Sequence, residues 1–222
     1  MTAAPAIYSI PVGALRWFDE DAFELTCARP PGFSFLAGQY VTLSLDGLGR
    51  EYTIISAPDA PELKFLIKYI PDGALSAKLA RLEPGNKLTL ERVKGYLTYR
   101  STAKTVVFVA TGVGIAPFVS MAAQGITGFS LIHGVRKLSG LYYRQQLMTA
   151  AGSYSACLSG TKTEGNVDLP VYQGYVTEFV RTNFQPGEYE FYLCGSRAMI
   201  HDMTHMLDEY FPGTVIYSEA YS

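Results

Sequence analysis

Residues 106–121 read VVFVATGVGIAPFVSM. An apolar, β-branched run reaches Ala110 and Thr111, glycines follow at Gly112 and Gly114, and Pro117 leads into a second apolar run long enough for a helix. This order predicts strand, tight turn, helix. The glycines let the backbone approach something large, Pro117 suits a first helical turn, and the amides of that turn attract anions. A pyrophosphate is the natural guest. The plainer reading is a crossover that needs a tight turn and holds nothing.

Downstream of this stretch, strand and helix patterns alternate. Strands are predicted at 105–110, 129–133, 154–158, 189–194 and 214–218, with helices near 115–124, 139–149, 175–183 and 197–210. The fold class for residues 101–222 is therefore a doubly wound α/β domain with a parallel sheet, whose ligands bind beyond the carboxyl ends of the strands. Thr111, Gly112 and Gly114 end the first strand, and Cys194 and Gly195 end the fourth, so two strand ends converge on one crevice. For Cys194 the ordinary reading is a small buried hydrophobe. Ser196 suits the cap of the last helix, where Met199, Met203, Met206, Leu207 and Tyr210 form a core-facing stripe.

Upstream, residues 1–100 read as an antiparallel β-barrel or sandwich. Strands are predicted at 22–28, 39–45, 52–56 and 63–69, separated by Pro30-Pro31-Gly32, Asp46-Gly47 and Pro58-Asp59. One helix is predicted over 73–82, ended by Pro84-Gly85, and its start at Asp72-Gly73 is a second place for a phosphate. Two anion sites suggest two nucleotides. In Arg50-Glu51-Tyr52-Thr53, strand alternation sets Arg50 and Tyr52 on one face and Thr53 on the other. Arginine clasps phosphate and tyrosine stacks on flat heterocycles; taken alone, the same residues read as a surface arginine beside an ordinary strand tyrosine.

The chain has 222 residues, 48% hydrophobic and 13% aromatic, which suits two domains of about 100 residues each with real cores. No apolar run approaches the roughly 20 residues of a membrane span, and MTAAPAIYSI lacks a basic signal region, so a cytoplasmic location and no membrane partner are expected. The net charge of −2 argues against nucleic acid as a partner. Three cysteines, Cys27, Cys157 and Cys194, are too scattered to ligate a metal or an iron–sulfur cluster. His201 and His205 share a helix face without a third ligand in view, so no metal is expected. Between Lys78 and Arg100 stand six basic residues and two acidic ones. The plainer reading is a solvated face; the other is a docking surface for an acidic electron carrier.

Taken together, these stretches resemble the ferredoxin-NADP reductase superfamily over almost the whole chain. FLAGQYVTLSL at 35–45 is similar to its Gly-Gln-Tyr strand, REYT at 50–53 to its Arg-x-Tyr-Ser/Thr flavin motif, and KYIPDGALSAKL at 68–79 to its Gly-x-x-Ser pyrophosphate segment. TGVGIAP at 111–117 and LCGSRAMI at 193–200 resemble the Thr-Gly-x-Gly-x-x-Pro and Cys-Gly-x-x-x-Met motifs that line the pyridine nucleotide. The resemblance implies FAD on the barrel, with Arg50 on its pyrophosphate, Tyr52 packed on the isoalloxazine and Thr53 bonded to N5. Glu51, Lys68, Tyr69, Gly73, Leu75 and Ser76 complete that half. It implies NADP(H) on the second domain, held by Thr111, Gly112, Gly114, Pro117, Gly195 and Met199. Arg136 lies where bacterial members hold the 2′-phosphate. The family's following Ser-Arg pair reads here Ser159-Gly160-Thr161-Lys162; the arginine is missing, with Lys162 as a substitute and Tyr175 in the region of a further basic residue. NADPH is expected over NADH.

A free polar tail is the ordinary expectation for Ser218-Glu219-Ala220-Tyr221-Ser222. Glu-x-Tyr near the terminus nevertheless resembles the family's ending, in which the tyrosine covers the flavin face and the glutamate assists proton and electron exchange; Ser222 departs from the strict tyrosine end. The resemblance implies hydride transfer between NADP(H) and flavin N5, with Thr53, Cys194, Glu219 and Tyr221 at the reacting rings, and single-electron exchange with ferredoxin or flavodoxin. A monomer is expected. Alternatives are an oxygenase reductase component, a free flavin reductase, and a non-catalytic flavoprotein subunit or nucleotide sensor.

Overall fold

The computed structural model describes residues 7–160 and 170–221. Two compact units divide the chain: one holds residues up to Thr98 together with Ala116–Gln124, the other Tyr99–Ile115 and Gly125–Ser222.

The first unit is a six-stranded antiparallel sheet of β1 (Tyr8–Trp17), β2 (Ala22–Ala28), β3 (Tyr40–Leu45), β4 (Leu48–Thr53), β5 (Glu62–Lys68) and β6 (Lys87–Lys94), in the order β4-β3-β6-β1-β2-β5. A bridge from Ile54, just past β4, to Phe65 of β5 joins the two edges and closes the barrel. β2, between β1 and β5 in the sheet, is buried on both faces. Glu24, in its middle, is tolerated there because Arg16 and Lys64 approach its carboxylate at 3.3 and 3.6 Å. Phe23, Leu25, Val41, Leu43, Phe65 and Leu90 fill the interior with no exposed surface, each contributing about 1.5–3 kcal/mol by burial.

Four features depart from the sequence expectations. The strand predicted over 52–56 lies instead at Leu48–Thr53, because Asp46 and Gly47, both at positive φ, make a tight hairpin turn that starts the pairing with β3 at Leu48. β1 and β6 were not among the predicted strands. In β1, Pro11 and Gly13 interrupt the pattern, and the register shifts at Gly13, between Val12 and Ala14. In β6 the inward Leu88 and Leu90 alternate with outward charges, so the basic stretch is in part the solvated face of a strand. The helix predicted over 73–82 contracts to α1 (Ser76–Leu79). Beyond it the chain winds on with i→i−3 bonds from Arg81 to Lys78 and from Leu82 to Leu79, a tighter turn that does not propagate.

The second unit is a six-stranded parallel sheet of β7 (Thr105–Thr111), β8 (Ser130–Val135), β9 (Ser153–Leu158), β10 (Val171–Gln173), β11 (Tyr189–Ser196) and β12 (Val215–Tyr221), ordered β10-β9-β8-β7-β11-β12. The order reverses between β7 and β11, the switch point of a doubly wound fold. β10 was not predicted. α4 (Val176–Asn183) and α5 (Arg197–Tyr210) pack Val176, Val180, Met199, Met203 and Leu207 against Val109, Ile132, Phe191 and Leu193. α3 (Arg144–Ala150) begins later than predicted because Tyr143 sits in the left-handed region at φ 55 and breaks the helical run. The helix after Gly114, α2 (Ala116–Ala123), is counted with the barrel unit, where Ser120 Oγ donates to the carbonyl of Ser56 at 2.9 Å. Pro117 is buried in its first turn. The terminal residues are not a free tail through Tyr221, since β12 pairs with β11 to that point. Among the described residues no helix is long and apolar enough to cross a membrane.

Candidate active site

In the second unit, the carboxyl ends of β7, β11 and β12 stand side by side. Cys194 pairs with Ala110 on one side and Glu219 on the other, and Ser196 pairs with Tyr221. After Thr111 the chain makes a 3-10 turn over Gly112–Ile115, with Gly112 at φ 54. A side chain on Gly114 would lie 2.4 Å from the carbonyl oxygen of Cys194, so the glycine lets the turn rest directly on the end of β11. Gly195 makes the reciprocal approach: at φ 148, its missing Cβ would meet Thr111 Oγ1 at 2.1 Å. The same hydroxyl accepts the N–H of Ser196 at 3.2 Å, and Ser196 Oγ in turn accepts the N–H of Met199 and caps α5. Thr111, Gly114 and Gly195 thus form one backbone cradle at the switch point.

Cys194, Glu219 and Tyr221 project from adjacent strand ends on one face of this cradle. Cys194 is fully buried, and burial first, then the Glu219 carboxylate, push its thiol well above the ordinary range; a hydrogen bond from Tyr221 acts in the opposite direction. The residue is a neutral thiol and not a nucleophile. Its small polarizable side chain is covered, with a tyrosine hydroxyl beside it.

At the ends of β8 and β9, Arg136 and Ser159 are brought together. The Ser159 N–H donates to Val135 O at 3.0 Å, and a side chain at Gly160 would sit 2.2 Å from the carbonyl oxygen of Arg136. Gln173 holds this corner by donating Nε2 to the carbonyls of Leu158 and Gly160, both at 2.8 Å. Arg136 and Tyr175 face solvent. Lys162 and Ser222 lie outside the described residues.

In the barrel unit, Arg50, Glu51, Tyr52 and Thr53 pass from exposed to buried along β4. Arg50 donates to the carbonyl of Gly49 at 2.7 Å and Glu51 pairs with Lys94 at 2.8 Å. The Tyr52 ring is half-buried against the core, which raises its hydroxyl to about 12, so it stays neutral. Thr53 is buried. Past β5, Lys68 is exposed and Tyr69 packs edge-on against Trp17 at 5.1 Å. Leu75 is buried in the core and anchors the turn that follows Gly73. The room left at Gly73 is used by the chain itself: a Cβ there would meet Ser76 Oγ at 2.7 Å and Ile70 O at 2.9 Å. Ser76 Oγ accepts from Ile70 N and donates to Ile70 O. Its hydroxyl therefore closes the turn, together with the Gly73 N–H, which donates to Ile70 O at 2.9 Å.

His133, which the sequence reading passed over, lies against the glycine turn of this cradle. It is fully buried on β8, with Nε2 3.1 Å from Gly112 O and Nδ1 3.1 Å from the Tyr154 hydroxyl. The signal was a histidine inside the apolar run Leu131-Ile132, where a buried polar ring must find partners. His201 and His205 do share an exposed helix face, rings 4.5 Å apart, and His201 contacts Asp202.

Two family models match, the oxidoreductase FAD-binding domain over residues 19–99 and the oxidoreductase NAD-binding domain over residues 108–205. The toluate 1,2-dioxygenase electron transfer component of Pseudomonas putida is 28% identical over 216 residues, covering 90% of this chain and 63% of that one. The flavodoxin/ferredoxin-NADP reductase of Escherichia coli is 27% identical over 212 residues, 84% of each chain. The crystal structure of a ferredoxin NADP+ reductase from Neisseria gonorrhoeae with bound FAD and NADP shares the fold at a TM-score of 0.80 and 21% identity, covering 96% of this chain and 98% of that one. With an FAD-binding barrel followed by an NAD-binding parallel sheet, the chain is an oxidoreductase and belongs to the ferredoxin-NADP reductase-like family.

Proposed function

We propose that this protein takes hydride from NADPH onto a non-covalently held FAD and passes electrons singly to ferredoxin or flavodoxin. The observation that carries the reading is the cradle at the switch point, where Gly114 and Gly195 let the turn after Thr111 rest directly on the end of β11, beside Cys194, Glu219 and Tyr221. The barrel residues fit a flavin dinucleotide. Arg50 presents an exposed guanidinium for a pyrophosphate, and Tyr52 a neutral ring already fixed on one side by the core. FAD, when bound, supplies the hydride acceptor and the step from two electrons to one. Arg50 then holds the phosphates, Tyr52 orients the flat ring, and Thr53 offers a hydroxyl at the buried end of the same strand. On the nucleotide side the cradle positions the dinucleotide, Arg136 and Ser159 take the 2′-phosphate, and Cys194 backs the nicotinamide site as a neutral thiol.

Docking of an acidic carrier rests on Arg81, Lys87 and Arg92, which are exposed. Lys78 and Lys94, by contrast, are engaged with Asp46 and Glu51 at 2.7 and 2.8 Å. A second reading, the reductase component of an oxygenase, is favoured by the likeness to the toluate dioxygenase component. The described cysteines are three buried free thiols, so in that reading an iron–sulfur centre comes from outside this chain.

The test is anaerobic mixing with NADPH and, separately, NADH, following flavin absorbance. Rapid bleaching by NADPH in preference to NADH is expected. Bleaching by NADH equally well removes the NADPH assignment, bleaching by neither leaves a sensor, and a protein that does not take up FAD overturns the reading. Charge reversal at Arg81, Lys87 and Arg92 slows reduction of an acidic carrier; an unchanged rate points to free flavin as the acceptor.

A further inference from the structure

His133 bridges the second strand of the parallel sheet and the glycine turn at the end of the first. A carbonyl oxygen can only accept, so the contact to Gly112 O requires a proton on His133 Nε2. Burial holds the ring neutral, lowering its titration to about 4, and Nδ1 is therefore the acceptor of the Tyr154 O–H. Tyr154, on β9, reaches it with the rings edge to face at 6.5 Å. The hydroxyl thus fixes the tautomer, and the tautomer fixes the donor to Gly112.

The peptide from Gly112 to Val113 is trans, as no cis bond occurs among the described residues, and in a trans peptide C=O and N–H point in opposite directions. Holding the carbonyl of Gly112 inward on His133 turns the Val113 N–H away from the sheet interior. Gly112 at φ 54 would otherwise be the residue freest to let this peptide rotate.

Resting on the nucleotide-binding role given above, we infer that His133 and Tyr154 are positioning residues that lock the Gly112–Val113 peptide with its N–H toward the pyrophosphate of the bound dinucleotide. The pair touches no substrate. It acts by removing a rotation that the glycine allows, so the donor is already aligned when the ligand arrives.

The experiment compares binding of NADP+ and of 2′-AMP, which lacks the pyrophosphate, to FAD-loaded wild type, His133→Leu, His133→Gln and Tyr154→Phe, by calorimetry. His133→Leu is expected to weaken NADP+ at least tenfold while 2′-AMP changes less than twofold. His133→Gln, whose amide can still donate to Gly112, recovers most of the loss, and Tyr154→Phe falls between. Equal weakening of both ligands, or none of either, overturns the inference. Should His133→Leu not fold, the contrast between His133→Gln and Tyr154→Phe decides: equal NADP+ affinity in those two and wild type overturns it. Wild-type protein that binds neither NADP+ nor NAD+ removes the nucleotide reading itself, a failure distinct from variants that match a binding wild type.

Discussion

Replacing Gly114 with alanine tests whether the cradle depends on direct backbone contact. The added methyl would lie 2.4 Å from the carbonyl oxygen of Cys194 and 2.7 Å from both its carbonyl carbon and the Cα of Gly195. All three are backbone atoms of a strand paired on both sides, with β7 and β12, so the 3-10 turn must give way. Reaching an ordinary separation of roughly 3.5 Å means a retreat of about 1 Å. Overpacking of this kind costs about 1–3 kcal/mol, and a melting point drops about 2–4 °C per kcal/mol in a chain of this size. A displacement near 1 Å at a reacting site costs about 100-fold in rate. Calorimetric melting of the FAD-loaded variant and stopped-flow reduction by NADPH measure the two effects. Gly140→Ala is the control, since its Cβ meets Val135 at an ordinary 3.4 Å. A Gly114→Ala protein with wild-type melting and wild-type reduction would refute the reasoning, because the approach to Cys194 would then not be needed.

Removing Tyr221 and Ser222 strips the hydroxyl partner from Cys194; the nicotinamide contact is expected to tighten and the preference for NADPH over NADH to change, and unchanged kinetics with both nucleotides would sink that role. Arg136→Ala should raise the KM for NADPH about 10- to 100-fold, the worth of a charge-assisted bond of about 1.5–3 kcal/mol, and leave NADH alone; parallel shifts for both nucleotides would place Arg136 elsewhere. His133 titrates at about 4 in the folded protein against an ordinary 6.5, so the unfolded chain binds the extra proton first. Its contribution is complete above pH 6.5 and is lost as pH falls toward 4, about 3 kcal/mol in all at about 1.4 kcal/mol per unit. Urea midpoints of wild type should fall more steeply over that window than those of His133→Gln, and identical slopes would contradict the buried neutral ring.

Long elements with one clear period were legible from sequence, and elements whose pattern was interrupted were not. α5 spans the predicted 197–210 because its Met199, Met203, Met206 and Leu207 stripe and its Ser196 cap agree. β2 spans the predicted 22–28 because Phe23, Leu25 and Cys27 alternate with Glu24 and Thr26 at the period of a strand. β1 was hidden by Pro11 and by the bulge at Gly13, both local penalties that its pairing with β2 and β6 overrides. β12 was hidden past 218 by its polarity. An edge strand needs one partner and little apolar content, so Ser218, Glu219 and Ala220 pair with β11 without resembling a strand.

The glycines of the family motifs show where sequence reasoning about the site reaches its limit. A glycine before a helix reads as room for a ligand, yet in this chain the room is first taken by the protein. Gly38 lies where a Cβ would be 2.0 Å from the carbonyl of Leu97, Gly73 closes on Ser76 and Ile70, Gly114 on Cys194, and Gly195 on Thr111. Composition and spacing cannot distinguish these cases from close approach to a phosphate, because both demand the same missing Cβ. The distinction has a thermodynamic consequence. If the glycines served the ligand alone, alanine substitutions would leave the ligand-free protein as stable as wild type and weaken binding. Because backbone at Gly38 and Gly114, and a hydrogen-bonded side-chain hydroxyl at Gly73 and Gly195, already occupies the place of the Cβ, the same substitutions destabilise the protein before any nucleotide is added, and loss of binding follows from the displaced turn.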